Sequence, residues 1–225
     1  MTTADALLAA VIASPDDDLP RLVFADWLDE NGDPDRAEFI RLQIAHARGT
    51  LDLGGLVREK VLLQTHTAVW LAPMWAGGGA LSTRRTHGVF RRGFVDAVWM
   101  PAGWFVLYGD RLFAVAPVTE LRVIFDHPGL EYSQFTESPH LPRLRALDVC
   151  DHRFGAKGVE DLFHFSCWQG LRVLRLPGCN IDEQAAESLC ATSLRLDALD
   201  LQYNPLTDAA KQRLRDRFGT AVVFD

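Results

Sequence analysis

Between Leu144 and Leu206 an L-x-x-L-x-L phrase returns at a nearly fixed interval, and nothing else in the chain restricts its folding as much. The phrase stands as Leu144, Leu147 and Val149, as Leu171, Leu174 and Leu176, and as Leu196, Leu199 and Leu201. A weaker copy precedes them as Val118, Leu121 and Val123. The starts at 118, 144, 171 and 196 lie 26, 27 and 25 residues apart. A unit of that length cannot enclose an apolar face of its own, so each copy has to bury its leucines against the next. The alternating Leu-x-Leu predicts a short strand, because successive side chains of a strand point to opposite faces.

Between the phrases the apolar spacing changes to three and four. Val159, Leu162 and Phe163 form one helical stripe, Leu189 and Cys190 follow Ala185 and Ala186, and Leu214 and Phe218 lie behind Ala210. Asp182 and Thr207 stand where N-caps belong, with Glu183 and Asp208 in the first turn. Each unit therefore reads as strand, turn and helix. His152, Cys179 and Asn204 occupy the turn position eight residues after each start. Ala221 to Phe224 fall where one more strand is due, which predicts a terminal edge strand. In phrase and period the stretch resembles leucine-rich repeats of the ribonuclease-inhibitor type. That resemblance implies an α/β fold, a short right-handed solenoid with a parallel sheet on its concave side and helices on its convex side.

With the leucines inside, the positions two, four and six residues after each start face outward. The row at four reads Arg122, Asp148, Arg175, Asp200. The row at two reads Glu120, Ala146, Val173, Ala198, and the row at six Ile124, Cys150, Pro177, Gln202. Neighbouring strands lie about 4.8 Å apart, so the charged row predicts a ladder of alternating sign that neutralises itself. The candidate partner-binding residues are Glu120, Arg122, Ile124, Asp148, Cys150, Val173, Arg175, Asp200 and Gln202.

The first fifty residues read as three helices. Leu7, Leu8, Val11 and Ile12 form a stripe ended by Ser14-Pro15, since proline disfavours a helical residue before it. Leu22, Val23, Trp27 and Leu28 form the next, with Asp18 the expected cap of the Pro20 helix, Trp27 in the core, and Asn31-Gly32 as the stop. Asp33 and Pro34 supply the cap and first residue of a third helix through Phe39, Ile40, Leu42 and Ile44. Asp26, Arg36, Glu38 and Arg41 are expected to pair between these helices. The runs Leu7-Leu8-Ala9-Ala10, Pro15-Asp16-Asp17-Asp18, Pro20-Arg21-Leu22-Val23-Phe24-Ala25-Asp26-Trp27-Leu28, Gly32-Asp33-Pro34 and Arg36-Ala37-Glu38-Phe39-Ile40-Arg41-Leu42-Gln43 together resemble the bacterial repeat-companion domain. Phe24 stands where tyrosine is expected in that family. The resemblance implies a small helical domain preceding repeats, and it carries no particular biochemical activity over to this chain.

Residues 1–75 are thus expected to form the helical domain, packed on the solenoid, with a further helix from Leu56 to Trp70. Pro73 and Gly77-Gly78-Gly79 then break the chain, and 76–92 reads as a glycine- and arginine-rich connector. The repeat domain spans 93–225, opened by a cap strand over Gly93 to Trp99 and a helix over Trp104 to Val115 that Gly109 loosens. The connector holds the only basic cluster, Arg84, Arg85, His87, Arg91 and Arg92, interleaved with Phe90 and Phe94. Guanidinium groups beside rings suit a single nucleic-acid strand. The net charge of −7 opposes general polyanion binding, and the ten acids against four bases in residues 1–50 offer the cluster an internal partner.

No nucleophile elbow, zincin helix, paired CxxC or phosphate loop occurs. A calcium loop at Asp29, Asn31 and Asp33 fails on Pro34 and Ile40. Cys150, His152, His164, Cys167 and Cys179 offer zinc-type ligands, but the strand position of Cys150 and the turn position of Cys179 do not converge. Together with Cys190 these cysteines read as reduced packing residues. No apolar run approaches the length of a spanning helix, so a cytoplasmic location without membrane attachment is expected. The expected function is a non-catalytic protein–protein interaction module or adaptor subunit, without cofactor or metal. It would bind another protein through the repeat face or the acidic helical domain. The alternative is a nucleic-acid-associated accessory subunit using Arg84, Arg85, Arg91 and Arg92, and a third reading is a metal-dependent hydrolase on the N-terminal acids. The pattern leaves the oligomeric state open.

Overall fold

The computed structural model describes residues 2–75, 86–125, 134–149, 154–163 and 168–224. It is a mixed α/β fold with a seven-stranded sheet whose strands neighbour one another in sequence order. The chain divides into two compact units, Met1–Val98 with Asp110–Val118, and Trp99–Gly109 with Thr119–Asp225. No helix among the described residues is long and apolar enough to cross a membrane.

The first unit is built on four helices, α1 (Thr3–Ala13), α2 (Asp18–Glu30), α3 (Pro34–Ala47) and α4 (Leu53–Trp75). Thr2 and Asp5 form a reciprocal capping box on α1, and Asp33 caps α3 ahead of Pro34. Asp17, not the expected Asp18, caps α2, accepting the Leu19 N–H at 2.9 Å. The helix begins two residues before Pro20, which lies in its first turn where no intrahelical N–H is required. Asp18 is thereby released to pair with Arg48 at 2.7 Å. Val11, Ala25, Leu28, Ala37, Ile40 and Ile44 make the core, with Trp27 partly buried against it. Helix α4 runs past the expected stop at Pro73 to Trp75, and Arg111 Nε donates to the Pro73 carbonyl at 2.6 Å, satisfying one acceptor of the last turn.

A hairpin completes this unit, and it shortens the expected connector: residues 87–91 are strand β1 (His87–Arg91), followed by β2 (Phe94–Pro101). The joining residues Arg92 (φ 51°) and Gly93 (φ 86°) are both left-handed, the geometry a two-residue hairpin turn requires. The physical reason the hairpin belongs here is Phe94, which is buried in the helical core. The turn is also tied down by polar contacts. Gln43 Oε1 accepts the Gly93 N–H at 2.8 Å, and Arg21 donates to the Pro15 and Arg92 carbonyls at 2.7 and 3.4 Å. Ile40 approaches so closely that a Cβ at Gly93 would lie 2.7 Å from its Cα. Helix α5 (Ala102–Val115) is continuous through Gly109, contrary to expectation. One helical glycine costs about 1 kcal/mol, which the buried Phe105, Leu112 and Phe113 offset.

In the second unit β3 (Glu120–Ile124), β4 (Ala146–Val149), β5 (Val173–Arg175), β6 (Ala198–Asp200) and β7 (Val222–Val223) pair in parallel. Leu121, Leu147, Leu174, Leu199 and Val222 align across them, so the sequence phrase and the strand register coincide. Strand β7 is the terminal strand expected over 221–224. Helices α6 (Gly155–Phe163), α7 (Glu183–Ala191) and α8 (Asp208–Phe218) return the chain between strands. Their buried residues are the stripes read from sequence: Val159, Leu162 and Phe163, then Ala185, Ala186 and Leu189, then Ala210, Leu214 and Phe218. Asp182 and Thr207 cap α7 and α8 as expected, accepting the N–H groups of Ala185 and Ala210.

Equivalent hydrogen bonds recur from unit to unit. Arg145, Arg172 and Asp197 each donate a backbone N–H to the residue at the same position of the preceding unit, Thr119, Arg145 and Arg172, at 2.7 to 2.8 Å. At the turn position Cys179 Sγ donates to Val149 O at 3.1 Å, and Asn204 Nδ2 to Leu176 O at 2.8 Å. Thiol and amide thus reach the same carbonyl of the unit before. The amide does more: Asn204 Oδ1 accepts the Ile181 N–H at 2.9 Å, and Nδ2 also meets the Leu201 carbonyl at 2.9 Å.

Candidate interaction face of the parallel sheet

The outward positions of β3 to β6 lie side by side in the register Glu120, Ala146, Val173, Ala198, with Arg122, Asp148, Arg175, Asp200 one step along. The inward alternates Leu121, Leu147, Leu174 and Leu199 are buried, and this parity is what turns the charged row to the other face. Arg122, Asp148, Arg175 and Asp200 are all half-buried.

Only part of the charge ladder closes between direct neighbours. Arg122 Nε lies 3.6 Å from Asp148 Oδ2 across β3 and β4. Arg175, however, passes over β4 and donates from Nη1 to Glu120 Oε1 at 3.0 Å. Ala146, between Glu120 and Val173 in register, has no side chain long enough to obstruct that reach. Asp200 makes a local contact instead, its Oδ1 accepting the Gln202 N–H at 3.0 Å. The result is two ion pairs over β3–β5, one between adjacent strands and one spanning β4, and a carboxylate on β6 outside them.

The Arg122 guanidinium also lies 4.0 Å from the ring centroid of Trp99 in β2, a cation–π contact. Sequence reasoning passed over Trp99. The available signal was parity: Trp99 alternates with Val98 and Met100, both buried, and is itself only half-buried. Ile124 and Val173 add half-buried apolar surface to the face, while Cys150 lies outside the described residues. At the ends of the strands Tyr203 (φ 61°) holds the left-handed backbone that Gly178 (φ 62°) holds one unit earlier, and it is 74% exposed.

The other candidate residues go to other surroundings. Arg91 Nη1 pairs with Asp96 Oδ2 at 2.6 Å; Arg92 Nη1 donates to Asp16 O at 2.8 Å, and its Nε lies 3.7 Å from Asp18 Oδ1. These two cations are thus engaged within their own unit, and Arg84 and Arg85 lie outside the described residues. Arg41 pairs with Asp26 and Asp29, both at 2.7 Å, and Glu38 with Arg58 at 2.6 Å. Arg36 departs from the expected interhelical pairing. Its guanidinium sits among Trp70, Phe90, Phe94 and Phe39, 4.5 to 5.6 Å from their centroids, and its buried Nη1 has no hydrogen-bond partner. Desolvation lowers its pKa to about 9, with Asp33 opposing.

Of the zinc-type residues, Cys179 is buried and bonded to Val149 O, and Cys150, His152, His164 and Cys167 lie outside the described residues. Among the described residues no group of three or more His, Cys, Asp or Glu side chains is placed to hold a metal ion. Burial pushes the Cys190 thiol up from its ordinary value, against activation as a nucleophile. No protein-family model matches the chain, and no curated protein matches it.

Proposed function

We propose that this protein is a non-catalytic interaction module, a leucine-rich-repeat solenoid preceded by a helical repeat-companion domain, that binds another protein through the outward face of β3–β6. The observation that carries this reading is the group formed by Trp99, Arg122, Asp148, Glu120 and Arg175. Tryptophan and arginine are the side chains that most often dominate protein interfaces. Here they stand on paired strands, so little conformational entropy is lost on binding. Ile124 and Val173 supply apolar contact, and Asp200 and Gln202 a polar border.

A photo-crosslinking amino acid placed at Val173, and separately at exposed Glu187 on α7, tests the reading in native lysate. The expected result is one recurrent protein adduct from position 173 that is absent from position 187, and that charge reversal of Asp148, Arg175 and Asp200 together suppresses. Equal adducts at both positions, or insensitivity to the reversal, would assign binding elsewhere.

A further inference from the structure

Asn31 and Gly32, both exposed, lie in the turn between α2 and α3. The asparagines of the chain are Asn31, Asn180 and Asn204. Asparagine is thermolabile because the backbone nitrogen of the following residue can close a five-membered ring on its Cγ. That nitrogen has to carry a hydrogen and be reachable. Pro205 follows Asn204 and carries none. Ile181 follows Asn180, but it is buried and its N–H is donated to Asn204 Oδ1 at 2.9 Å. Gly32 differs on every count. Its N–H donates to nothing among the described residues, and a Cβ built on it would meet nothing within 4 Å.

We propose that Asn31 is a site of spontaneous deamidation, and that its conversion weakens the end of α2. Hydroxide takes the Gly32 amide proton, the nitrogen forms a bond to Asn31 Cγ, and the Cγ–Nδ2 bond breaks. The amide leaves as ammonia, taking a proton from water and so regenerating the hydroxide. Water then opens the cyclic imide. Attack at Cγ leaves an ordinary aspartate. Attack at the former main-chain carbonyl leaves an isoaspartate, with the backbone running through Cγ. At ψ 14° the Gly32 nitrogen nearly eclipses Asn31's own nitrogen, so the Cα–C bond of Asn31 must turn to bring it to the side chain. That rotation breaks the Nδ2 bond to Trp27 O, at 2.8 Å, and the Asp33 N–H bond to Leu28 O, at 2.9 Å. Both lie at an exposed helix end, where opening takes little free energy, and glycine absorbs the change of direction. The product loses the Nδ2 bond permanently. It also adds a carboxylate to a last turn that holds Asp29 and Glu30 and no base, at the negative end of the helix dipole.

Incubation of the folded full chain at neutral and at mildly alkaline pH, followed by acidic digestion and mass spectrometry, tests this beside a synthetic peptide of residues 26–36. The expected result is that the fragment holding Asn31 gains the mass of an –NH2 replaced by –OH, faster at the higher pH. Asn180 and Asn204 should remain amides. Isoaspartyl chains, separated by chromatography, should melt below both the starting protein and Asn31→Asp, which supplies the charge without lengthening the backbone. Intact Asn31 in the folded chain after the peptide has converted, equal conversion at Asn180, or conversion with an unchanged melt would each overturn the proposal.

Discussion

Two arginines of the helical unit and two on the sheet of the other unit meet opposite surroundings. In the helical unit Arg21 and Arg36 are drawn inward: Arg21 bonds backbone carbonyls, and Arg36 rests among aromatic rings. In the repeat unit Arg122 and Arg175 lie across an open sheet and pair with carboxylates. The difference follows from how each unit forms its core. A periodic stack supplies the same strand neighbours at every step, so its polar contacts recur at fixed positions and remain near water. Four helices and a hairpin have no such repetition, and single long side chains close the junctions between unlike elements.

Among the left-handed glycines, replacement should cost most where a distant segment closes on the turn, at Gly93. Gly93→Ala should lower stability by about 3–4 kcal/mol, adding left-handed strain to a clash with Ile40. Gly178→Ala, equally left-handed but with nothing within 4 Å, should cost about 1–2 kcal/mol. Urea unfolding of both variants decides this, and equal losses would remove the distinction between closely approached and open turns.

Next in size is the turn position. Asn204→Ala should cost about 2–3 kcal/mol, because Leu176 O and the Ile181 N–H lose their partner in a partly buried site. Asn204→Cys, copying the bond that Cys179 makes to Val149 O, should recover part of that loss. If the cysteine variant is no more stable than the alanine one, the two positions are not energetically equivalent.

Methionine at the two inward arginines separates their roles. Arg21→Met should destabilise by about 1–3 kcal/mol by orphaning the Pro15 and Arg92 carbonyls. Arg36→Met should be neutral or stabilising, since it removes a desolvated charge while keeping a flexible apolar chain against the rings. Thermal melts compared at one pH report both signs. The smallest effect belongs to the open sheet: Arg175→Met should cost about 0–1 kcal/mol, and the difference should shrink with added salt. A larger, salt-independent loss would mean that the pair to Glu120 holds the strands together.

Much of the repeat unit was legible because its information is local and periodic. Spacing alone placed Arg122, Asp148, Arg175 and Asp200 in one row and identified Asp182 and Thr207 as caps. Periodicity fixes which neighbours a side chain has, but not which of them it chooses. That is why the reach of Arg175 to Glu120, made possible by Ala146, was missed, and why Trp99, in a strand outside the period, was missed with it. In the helical unit the cap at Asp33 and the stop at Asn31-Gly32 were readable, but the cap expected of Asp18 is supplied by Asp17. Adjacent carboxylates differ only in where the helix starts, and that depends on Asp18 finding Arg48 thirty residues away.

The sequence by itself determined the strand–turn–helix period, the buried leucine rows and the caps at Asp33, Asp182 and Thr207, because each depends on residues a few positions apart. Tertiary structure alone decided that the hairpin around Gly93 joins the helical unit, that Arg36 sits among rings, and that Arg175 pairs with Glu120 rather than with a neighbour in its own row. Those outcomes rest on contacts between distant segments, such as Gly93 with Ile40 and Arg175 with Glu120, whose energies emerge only when packing brings the segments together.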